Sequence, residues 1–229
     1  MGKEWYDIIA KRNGGYKSDA VYIVEGFSGE DVFVEELTEL LKKSESTLDA
    51  GCGHGDFTIK MAQHAQNIIG FDWSEDLLKI ANSLKEHYKA ENVSFVRATT
   101  KAEMPFDDGQ FDLIYCRRGP TSIANHSRIL RKSGLIYGIC PGAPDIVNIV
   151  LEKLKNNGFV NNETSIYDNA ILVFPNEIEF AKFLRDFPGN PDYTLPEMKQ
   201  ELEEKAKENT IDGRICFNQW RFIWKATKA

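Results

Sequence analysis

The amino-acid sequence predicts an α/β fold, a doubly wound and mostly parallel sheet with helices on both faces. Three observations indicate this fold. A strand pattern, a glycine-rich turn and a helix pattern follow one another over residues 46–66. Strand patterns and helix patterns then alternate along the chain, which is typical of parallel sheets. A length of 229 residues fits one such domain with a full hydrophobic core.

Seven apolar runs bounded by polar or turn-forming residues have the length of strands. They are residues 46–50, 67–71, 93–97, 113–116, 135–140, 165–174 and 214–225. Turn residues support these limits, since residues 106–112 form a turn into the fourth run and Pro141 and Pro144 end the fifth. The sequence therefore predicts a sheet of seven strands.

Eight segments read as helices, most of them with apolar residues three and four positions apart. They are residues 4–11, 30–43, 56–66, 74–84, 121–130, 145–156, 176–186 and 197–209. Ser74 is a predicted N-cap, because two acidic residues follow it in the first turn. Glycines end the first of these helices, at Gly14, and the sixth, at Gly158.

Composition and charge are those of an ordinary globular protein, with 42% hydrophobic and 28% charged residues. The net charge of −7 disfavours nucleic acid as the main partner without excluding it, because phosphate contacts favour a basic face. The four cysteines are widely spaced and form no C-x-x-C pattern, so we expect no metal site and no disulfide framework. No signal-like pattern or membrane-spanning run occurs, and we expect a cytoplasmic protein without a membrane partner. The oligomeric state stays open.

The glycine-rich turn is the stretch on which the functional interpretation depends, and it reads LDAGCGHGDF over residues 48–57. Glycines at alternate positions let the backbone turn tightly and remove side chains that would block a ligand. Asp72 follows the next strand run. In nucleotide-binding α/β sheets, an acidic residue at this place accepts hydrogen bonds from ribose hydroxyls. The pattern predicts a nucleoside site.

The flanking acids indicate which nucleoside fits. A dinucleotide fingerprint reads G-x-G-x-x-G, but here the third glycine comes one residue early and Asp56 takes the dinucleotide position. Asp49 lies two residues before Gly51, so a pyrophosphate would meet carboxylates on both flanks and be repelled. S-adenosyl-L-methionine (SAM) has a sulfonium, an ammonium and no phosphates. At residues 48–55 and 69–73 the sequence resembles the first two motifs of class I SAM-dependent methyltransferases.

This resemblance covers residues 46–140 and has further implications. It implies a Rossmann-like fold whose last strand is antiparallel, in one domain spanning residues 1–229. Residues 1–29 would be an N-terminal cap or lid, although simple covering of a sheet face explains this aromatic segment equally well. Residues 156–209 would be substrate-side additions. The implied reaction is direct displacement of the methyl group by a small-molecule acceptor.

The resemblance also implies donor-site residues. Residues 98–106 resemble the third motif, but Thr100 replaces its usual aspartate, and a neutral hydroxyl binds the adenine amino group more weakly. Backbone groups are the alternative. Trp73 could lie against adenine or pack in the core. The predicted cofactor-binding residues are Asp49, Ala50, Gly51, Cys52, Gly53, Asp72, Trp73, Leu77, Thr99, Thr100 and Cys116.

Two adjacent arginines, Arg117 and Arg118, come at the carboxyl end of the fourth strand run, where open α/β sheets bind ligands. One interpretation is a pair of solvated charges, bonded to Asp107 or Asp112. The other is an anion clamp, because a guanidinium binds carboxylate or phosphate in a bidentate manner. We predict a small-molecule acceptor that carries an anionic group and is held in part by Arg117 or Arg118.

The sequence identifies no general base, so the catalytic residues stay unassigned. We expect His54 to be a spacer with its side chain outward, and His126 either to lie on a helix surface or to approach the acceptor. Three alternative functions remain: an RNA methyltransferase, a non-catalytic SAM-binding module, and a nicotinamide oxidoreductase. Asp49 and Asp56 disfavour the last of these. No Asn-Pro-Pro-Tyr type tetrapeptide follows the fourth strand run, which argues against methylation of nucleic-acid base amino groups.

Overall fold

The computed structural model describes residues 8–9, 11–15, 17–142, 144–187 and 189–229. Of the helix predicted over residues 4–11, residues 4–7 and 10 lie outside the described residues. So do Tyr16 in the aromatic segment and Pro188 in the predicted loop before the last helix. The described residues form alternating helices and strands, which confirms the predicted α/β class.

The strands and helices lie close to their predicted positions. The strands are β1 Ile23–Glu25, β2 Thr47–Ala50, β3 Ile68–Asp72, β4 Val93–Arg97, β5 Phe111–Arg117, β6 Leu130–Pro141, β7 Phe159–Phe174, β8 Thr210–Ile211 and β9 Arg214–Lys228. The α-helices are α1 Gly29–Leu41, α2 Asp56–Ala62, α3 Glu75–Tyr88, α4 Asp145–Asn156, α5 Glu177–Arg185 and α6 Lys199–Glu208. Two 3₁₀ segments, Thr121–Ile129 and Pro196–Met198, complete the set.

The strand count corrects the predicted seven, because the described residues contain nine strands. The additional strands are β1, with three residues, and β8, with two. Strands this short carry no recognisable alternation of apolar and polar residues. Both form through pairing with a longer neighbour, β1 with β7 and β8 with β9.

A second correction concerns residues 121–129, which form a 3₁₀ segment with a kink at His126 in place of the predicted α-helix. Serine, threonine, asparagine and histidine favour the α-helix weakly. Side-chain bonds also draw this segment toward Thr100, whose hydroxyl lies 2.7 Å from the Ser122 hydroxyl. Tertiary contacts therefore override the helical pattern here.

The chain divides into two compact units, and each is described by itself. The larger contains residues 29–166 and 220–229, and the smaller contains residues 1–28 and 167–219. In the larger unit the strand order is β9-β6-β5-β2-β3-β4. Four pairings are parallel, those of β2 with β3, β2 with β5, β3 with β4 and β5 with β6. Strand β9 runs antiparallel to β6, which confirms the predicted antiparallel last strand.

Helices cover both faces of the sheet in the larger unit. Ile136 of β6 packs in a buried cluster with Val150 and Leu154 of α4. The next residue, Tyr137, stacks on Phe33 of α1 with ring centroids 4.7 Å apart. Since successive side chains of a strand point to opposite faces, α1 and α4 lie on opposite faces. Burying side chains of this size contributes roughly 1.5–3 kcal/mol each.

The parallel strands bring their carboxyl ends to one edge of the sheet. Strand β2 ends at Ala50, β3 at Asp72 and β5 at Arg117. All three predicted functional segments therefore lie at this edge, as ligand sites in open α/β sheets do. The fold positions the glycine turn between the acidic end of β3 and the basic end of β5.

The smaller unit has a core of its own. Buried Phe174, Phe180 and Leu184 lie in one cluster with Tyr193 and Ala206. Helix α5 begins after Asn176, whose side chain accepts a hydrogen bond from the Glu179 N–H at 3.0 Å. None of the helices in the described ranges is long and apolar enough to cross a membrane.

Candidate functional site

The glycine turn after β2 is held by its own backbone. The N–H groups of Gly51 and Cys52 both donate to the Phe71 carbonyl oxygen, at 3.0 and 2.9 Å. Gly51 has a φ of 80°, which side-chain-bearing residues rarely adopt. A Cβ atom there would also lie 2.6 Å from Cδ of Pro120. Both its conformation and its surroundings therefore require glycine at position 51.

Asp72, the last residue of β3, holds its carboxylate against this turn. Oδ2 accepts a hydrogen bond from the Gly53 N–H at 3.1 Å, and Oδ1 accepts one from the Ser74 N–H at 3.0 Å. Burial raises the pKa of Asp72, and the backbone hydrogen bonds oppose that shift. Ser74 caps α3 as predicted, since its hydroxyl accepts from the Leu77 N–H at 3.3 Å. The backbone thus fixes both oxygens of Asp72.

Asp49 is a second carboxyl group at this edge, and it is only 3% exposed. Its Oδ2 accepts hydrogen bonds from the Thr58 hydroxyl at 2.7 Å and the Tyr115 hydroxyl at 2.8 Å. Burial raises the pKa of Asp49 to about 6, although both hydroxyls and the Arg117 guanidinium act in the opposite direction. Asp72 adds to the upward shift.

These two carboxyl groups indicate which ligand the turn suits. Their hydrogen bonds come from neutral donors, namely hydroxyls and backbone N–H groups. Burial and mutual repulsion disfavour the ionised forms, and a nearby positive charge would favour them. A cationic ligand without phosphates therefore fits this set of residues, as SAM does, whereas a pyrophosphate does not.

The predicted adenine-side residues lie beyond Asp72. Trp73 is half-buried, and the Lys101 ammonium lies 6.0 Å from the centroid of its ring. The Thr100 hydroxyl is bonded to Ser122, and the Thr99 hydroxyl accepts from the Lys101 N–H at 3.3 Å. Contact of these residues with adenine stays a prediction.

Three further predicted donor-site residues, Ala50, Leu77 and Cys116, have side chains packed in the core. Each of these residues is at most 1% exposed, and Cys52 is 8% exposed. Burial raises the pKa values of the Cys52 and Cys116 thiols well above the ordinary range. These thiols are therefore protonated, and ligand contact at all four positions stays a prediction.

Arg117 and Arg118 at the end of β5 both meet Glu30, in the first turn of α1. The Nε atoms of Arg117 and Arg118 lie 3.1 and 3.6 Å from the Glu30 carboxylate. A third arginine, Arg221 of β9, donates from Nε to the same carboxylate at 2.7 Å. Asp112, considered above as a partner of the pair, instead meets Arg131 at 2.7 Å. We call Glu30, Arg117, Arg118 and Arg221 the arginine cluster.

Electrostatics in the arginine cluster favour the charged form of Glu30. Burial pushes the pKa of Glu30 up, but Arg118, Arg117 and Arg221 outweigh it, and the net shift is downward. Burial and the neighbouring Arg118 lower the pKa of Arg117. Its guanidinium also lies 4.3 Å from the centroid of the Phe57 ring, a cation–π geometry. Sequence reasoning missed Glu30 and Arg221 because they lie 191 positions apart and no local pattern joins them.

The histidines differ from expectation in one case. The His54 side chain is buried, with Nε2 lying 3.3 Å from Asp56, so the expected outward orientation is wrong. His126 bonds through Nε2 to the Thr100 carbonyl oxygen at 3.0 Å. Across the described part of the chain, no three histidine, cysteine or acidic residues are grouped as a metal site requires.

The region of the chain that contains this site matches a known protein family. A family described as a methyltransferase domain matches residues 41–164, which is more than half of the 229 residues. The matched range contains the glycine turn, Asp72 and the Arg117–Arg118 pair. Glu30 and Arg221 lie outside it.

Two curated proteins show similarity in sequence. The uncharacterized methyltransferase YcgJ of Bacillus subtilis is 29% identical over 177 residues, covering 72% of this chain and 68% of that protein. A demethylmenaquinone methyltransferase of Lactococcus lactis is 33% identical over 91 residues, covering 38% of this chain and 35% of that protein. The second match therefore spans about a third of the relative's length.

A solved structure shows similarity over the whole chain. A functionally unknown protein from Deinococcus radiodurans superposes with a TM-score of 0.71 at 22% identity. The superposition covers 99% of this chain and 100% of that one. At this identity the likeness shows a shared fold.

Proposed function

The chain belongs to the methyltransferase-domain family, and we propose that it transfers a methyl group from SAM to a small metabolite carrying an anionic group. The observation that carries the donor part is the Asp72 carboxylate, fixed by backbone hydrogen bonds against the glycine turn. The carboxyl groups of Asp49 and Asp72 accept hydrogen bonds from neutral donors at this turn, and this supports a cationic nucleoside as the ligand.

In this proposal the predicted donor-site residues in and around the turn have defined roles. Asp72 accepts hydrogen bonds from the ribose hydroxyls, and the buried carboxylate of Asp49 contributes negative charge next to the turn. Trp73 lies along the adenine, with Thr99 and Thr100 at its edge. SAM, when bound, supplies a methyl group on a positively charged sulfur. The glycines at positions 51 and 53 allow the turn its positive φ values of 80° and 58°.

The acceptor part of the proposal rests on Arg117 and Arg118. The segment that follows them is packed directly on the glycine turn, since a side chain at Gly119 would clash with the Ala50 carbonyl oxygen. An anion bound by these arginines would therefore lie close to the donor. The name of the Lactococcus relative, demethylmenaquinone methyltransferase, refers to a small-molecule acceptor, and this supports the same class here.

Catalysis in this proposal comes mainly from positioning. Holding donor and acceptor at contact distance can contribute roughly 7–11 kcal/mol to lowering the barrier. The acceptor is either ionised in solution or loses its proton to water, since neither the sequence nor the geometry assigns a general base. His54 lies 3.3 Å from Asp56, and His126 bonds to the Thr100 carbonyl oxygen.

RNA is the second candidate acceptor, because Arg128, Arg131 and Lys132 are close together in sequence. Arg128, however, donates to the Phe106 and Met104 carbonyl oxygens and meets Asp108. Arg131 is paired with Asp112. Because two of the three cations have partners, the patch favours a small acceptor over RNA. Steep loss of activity with added salt would indicate RNA instead.

We propose the following domain organisation and cellular location for the protein. Residues 1–229 act as one catalytic domain in which residues 1–29 serve as a cap and residues 156–209 serve the substrate. The protein works in the cytoplasm, and its four cysteines, all free and buried, are compatible with a reducing compartment.

Titration calorimetry tests the donor part. We expect SAM and its demethylated product to bind, and we expect NAD to produce no measurable heat of binding. A preference for NAD would indicate an oxidoreductase. A protein that binds SAM but transfers no methyl group to any component of a metabolite extract would be the non-catalytic module.

A further inference from the structure

We infer that the arginine cluster is a complete site for a dianionic group of the phosphate class, in which Arg221 binds the anion and Glu30 positions the three arginines. This inference rests on the proposed function, because it names the chemical group by which the acceptor is held. It adds two residues, Glu30 and Arg221, which the sequence patterns assigned to no site and which lie outside the matched family range.

Three separate parts of the larger unit build this cluster. Arg117 and Arg118 come from the end of β5, Glu30 from α1 and Arg221 from β9. The Glu30 side chain is 15% exposed and Arg221 is 14% exposed, whereas Arg118 is 43% exposed. The cluster therefore has a buried base and an accessible side.

The charges in the cluster do not cancel. Three guanidiniums face one carboxylate, which leaves a formal charge of +2. Asp56 also acts on Arg117, but only from a longer range, since its own contact at 3.3 Å is with His54 and not with a residue of the cluster. Mutual repulsion among the guanidiniums persists, because Arg118 disfavours the charged form of Arg117. A bound dianion would neutralise this excess.

The guanidiniums retain donors on their other side. Each of the three arginines meets Glu30 through Nε. A guanidinium carries five N–H donors in a planar fork, so contact through Nε leaves terminal N–H groups to meet a second anion. In Arg221, Nη1 donates to the Trp220 carbonyl oxygen at 2.9 Å, so Nη2 is the group that would meet the anion. Phosphate oxygens match this fork in a bidentate manner.

The backbone around Arg118 supports a functional role. Arg118 has a φ of 58°, a conformation that costs energy for any residue with a side chain. Such strain is found most often at ligand sites and switches. The same segment is packed against the glycine turn through Pro120 and Gly51. An anion bound here would lie beside the proposed donor, as an acceptor must.

A phosphate-class anion fits better than a single carboxylate. The excess of +2 matches the charge of a phosphate monoester near neutral pH, and a diphosphate offers further oxygens to the same forks. A monocarboxylate would leave one positive charge uncompensated. We therefore assign the group as a phosphate monoester or a diphosphate.

Calorimetry with simple anions tests the inference. Inorganic phosphate, pyrophosphate and acetate are titrated into the protein saturated with demethylated SAM. We expect phosphate or pyrophosphate to bind at least about tenfold more tightly than acetate. Arg221→Ala should weaken that binding roughly tenfold or more, as loss of a charge-assisted hydrogen bond does, and leave SAM affinity unchanged. Arg131→Ala is the matched control, since this arginine lies in the same unit and pairs outside the cluster with Asp112.

The outcomes separate the inference from the proposed function. If SAM binds but phosphate and pyrophosphate bind no better than acetate, the inference is wrong and the proposed function stands. If SAM itself does not bind, the proposed function fails. Should Arg221→Ala not fold, Arg118→Ala gives the same comparison at a more exposed position. Equal anion affinity in wild type and a folded Arg221→Ala or Arg118→Ala variant would overturn the assignment.

A separate readout tests the positioning role of Glu30. In Glu30→Gln the arginines lose the carboxylate that holds them together, and a bound anion would replace it. We expect pyrophosphate to raise the melting temperature of Glu30→Gln by more degrees than that of wild type. A merely structural Glu30 would give equal shifts in both proteins, which would contradict the positioning role.

Discussion

The carboxylate of Asp72 accepts a hydrogen bond from the Gly53 backbone N–H at 3.1 Å, which ties the acidic end of β3 to the glycine turn after β2. Because its other oxygen accepts from the Ser74 N–H, the orientation of this side chain is set before any ligand binds. A preoriented carboxylate at a strand end is suited to receive two hydroxyl groups.

Replacing Asp72 by alanine should weaken SAM binding by about 1–3 kcal/mol, the range for hydrogen bonds to a charged group. The fold should persist, because Asp72 lies at a strand end rather than in the core. Calorimetry with SAM measures the change. Asp108→Ala is the control, since Asp108 is an exposed acid paired with Arg128. Unchanged SAM affinity in folded Asp72→Ala would remove the ribose assignment.

Replacing Gly51 by valine should abolish SAM binding. A β-branched side chain is strained at a φ of 80°, and its Cβ atom would lie 2.6 Å from Pro120 Cδ. Gly109→Val is the control for strain alone, because Gly109 also has a positive φ but a Cβ atom there meets its neighbours at 3.6 Å or more. If Gly51→Val binds SAM like wild type, the ligand lies elsewhere.

Local patterns in the sequence predicted the sheet and the turn, but not the contacts that define the site. The strand over residues 93–97 and the helix over residues 145–156 have the predicted bounds, since each is a continuous apolar or amphipathic run. The glycine spacing and Asp72 were likewise visible, because both lie within one strand-turn-helix-strand segment.

Contacts between distant segments could not be predicted in the same way. Glu30 reads as an ordinary acid in the first turn of a helix, and Arg221 as one charge in an aromatic strand. Their pairing follows from the packing of α1 against β5 and β6 and from the position of β9 next to β6, which bring them together from opposite ends of the chain. The inward position of His54 depends similarly on the shape of the turn, which a sequence pattern does not specify.

Asp49 should make stability depend on pH. Its folded pKa is about 6, above its ordinary value, so between about pH 4 and pH 6 the folded state binds more protons than the unfolded chain. The stabilisation from protonated Asp49 is present at the acidic end of that window and is lost as the pH rises through 6. A shift of this size corresponds to about 3 kcal/mol.

Urea unfolding of wild type and Asp49→Asn between about pH 4 and pH 7 measures this contribution. Other acids titrate in both proteins, so the difference between the two pH profiles isolates Asp49. We expect Asp49→Asn to lack the part of the stability decline that Asp49 causes. The amide oxygen of asparagine can still accept hydrogen bonds from Thr58 and Tyr115, but the amide does not ionise. Parallel profiles would show that Asp49 is not the titrating group.

Alanine at Arg117 or Arg118 should raise the KM for the methyl acceptor about tenfold or more, with SAM affinity nearly unchanged. The reason is that a guanidinium contact with an anionic acceptor is lost while the glycine turn is kept. Steady-state kinetics with varied acceptor, together with SAM calorimetry, measure both quantities. Salt dependence should be shallow, unlike that of an enzyme with many phosphate contacts along RNA. Unaltered acceptor kinetics in both variants would make these arginines surface charges.

Glu30→Gln should lower the free energy of unfolding by about 1–3 kcal/mol, since three guanidiniums lose the carboxylate they share. Partial exposure of Arg117 and Arg118 keeps the loss below that of a fully buried pair. Urea unfolding measures it. Glu39→Gln is the control, because exposed Glu39 pairs with Lys42 one turn away and should leave stability nearly unchanged. Equal stability of Glu30→Gln and wild type would show that Glu30 does not hold the cluster.

The central claim is that this protein moves the methyl group of SAM to a small anionic molecule. To test this directly, the protein is incubated with methyl-labelled SAM and a metabolite extract. The small molecules are then separated on an anion exchanger. We predict label in an anion-retained small-molecule fraction, formed together with demethylated SAM, reduced with Asp72→Ala and absent with Gly51→Val. Bound SAM with no labelled product, or label found only in RNA, would contradict the claim.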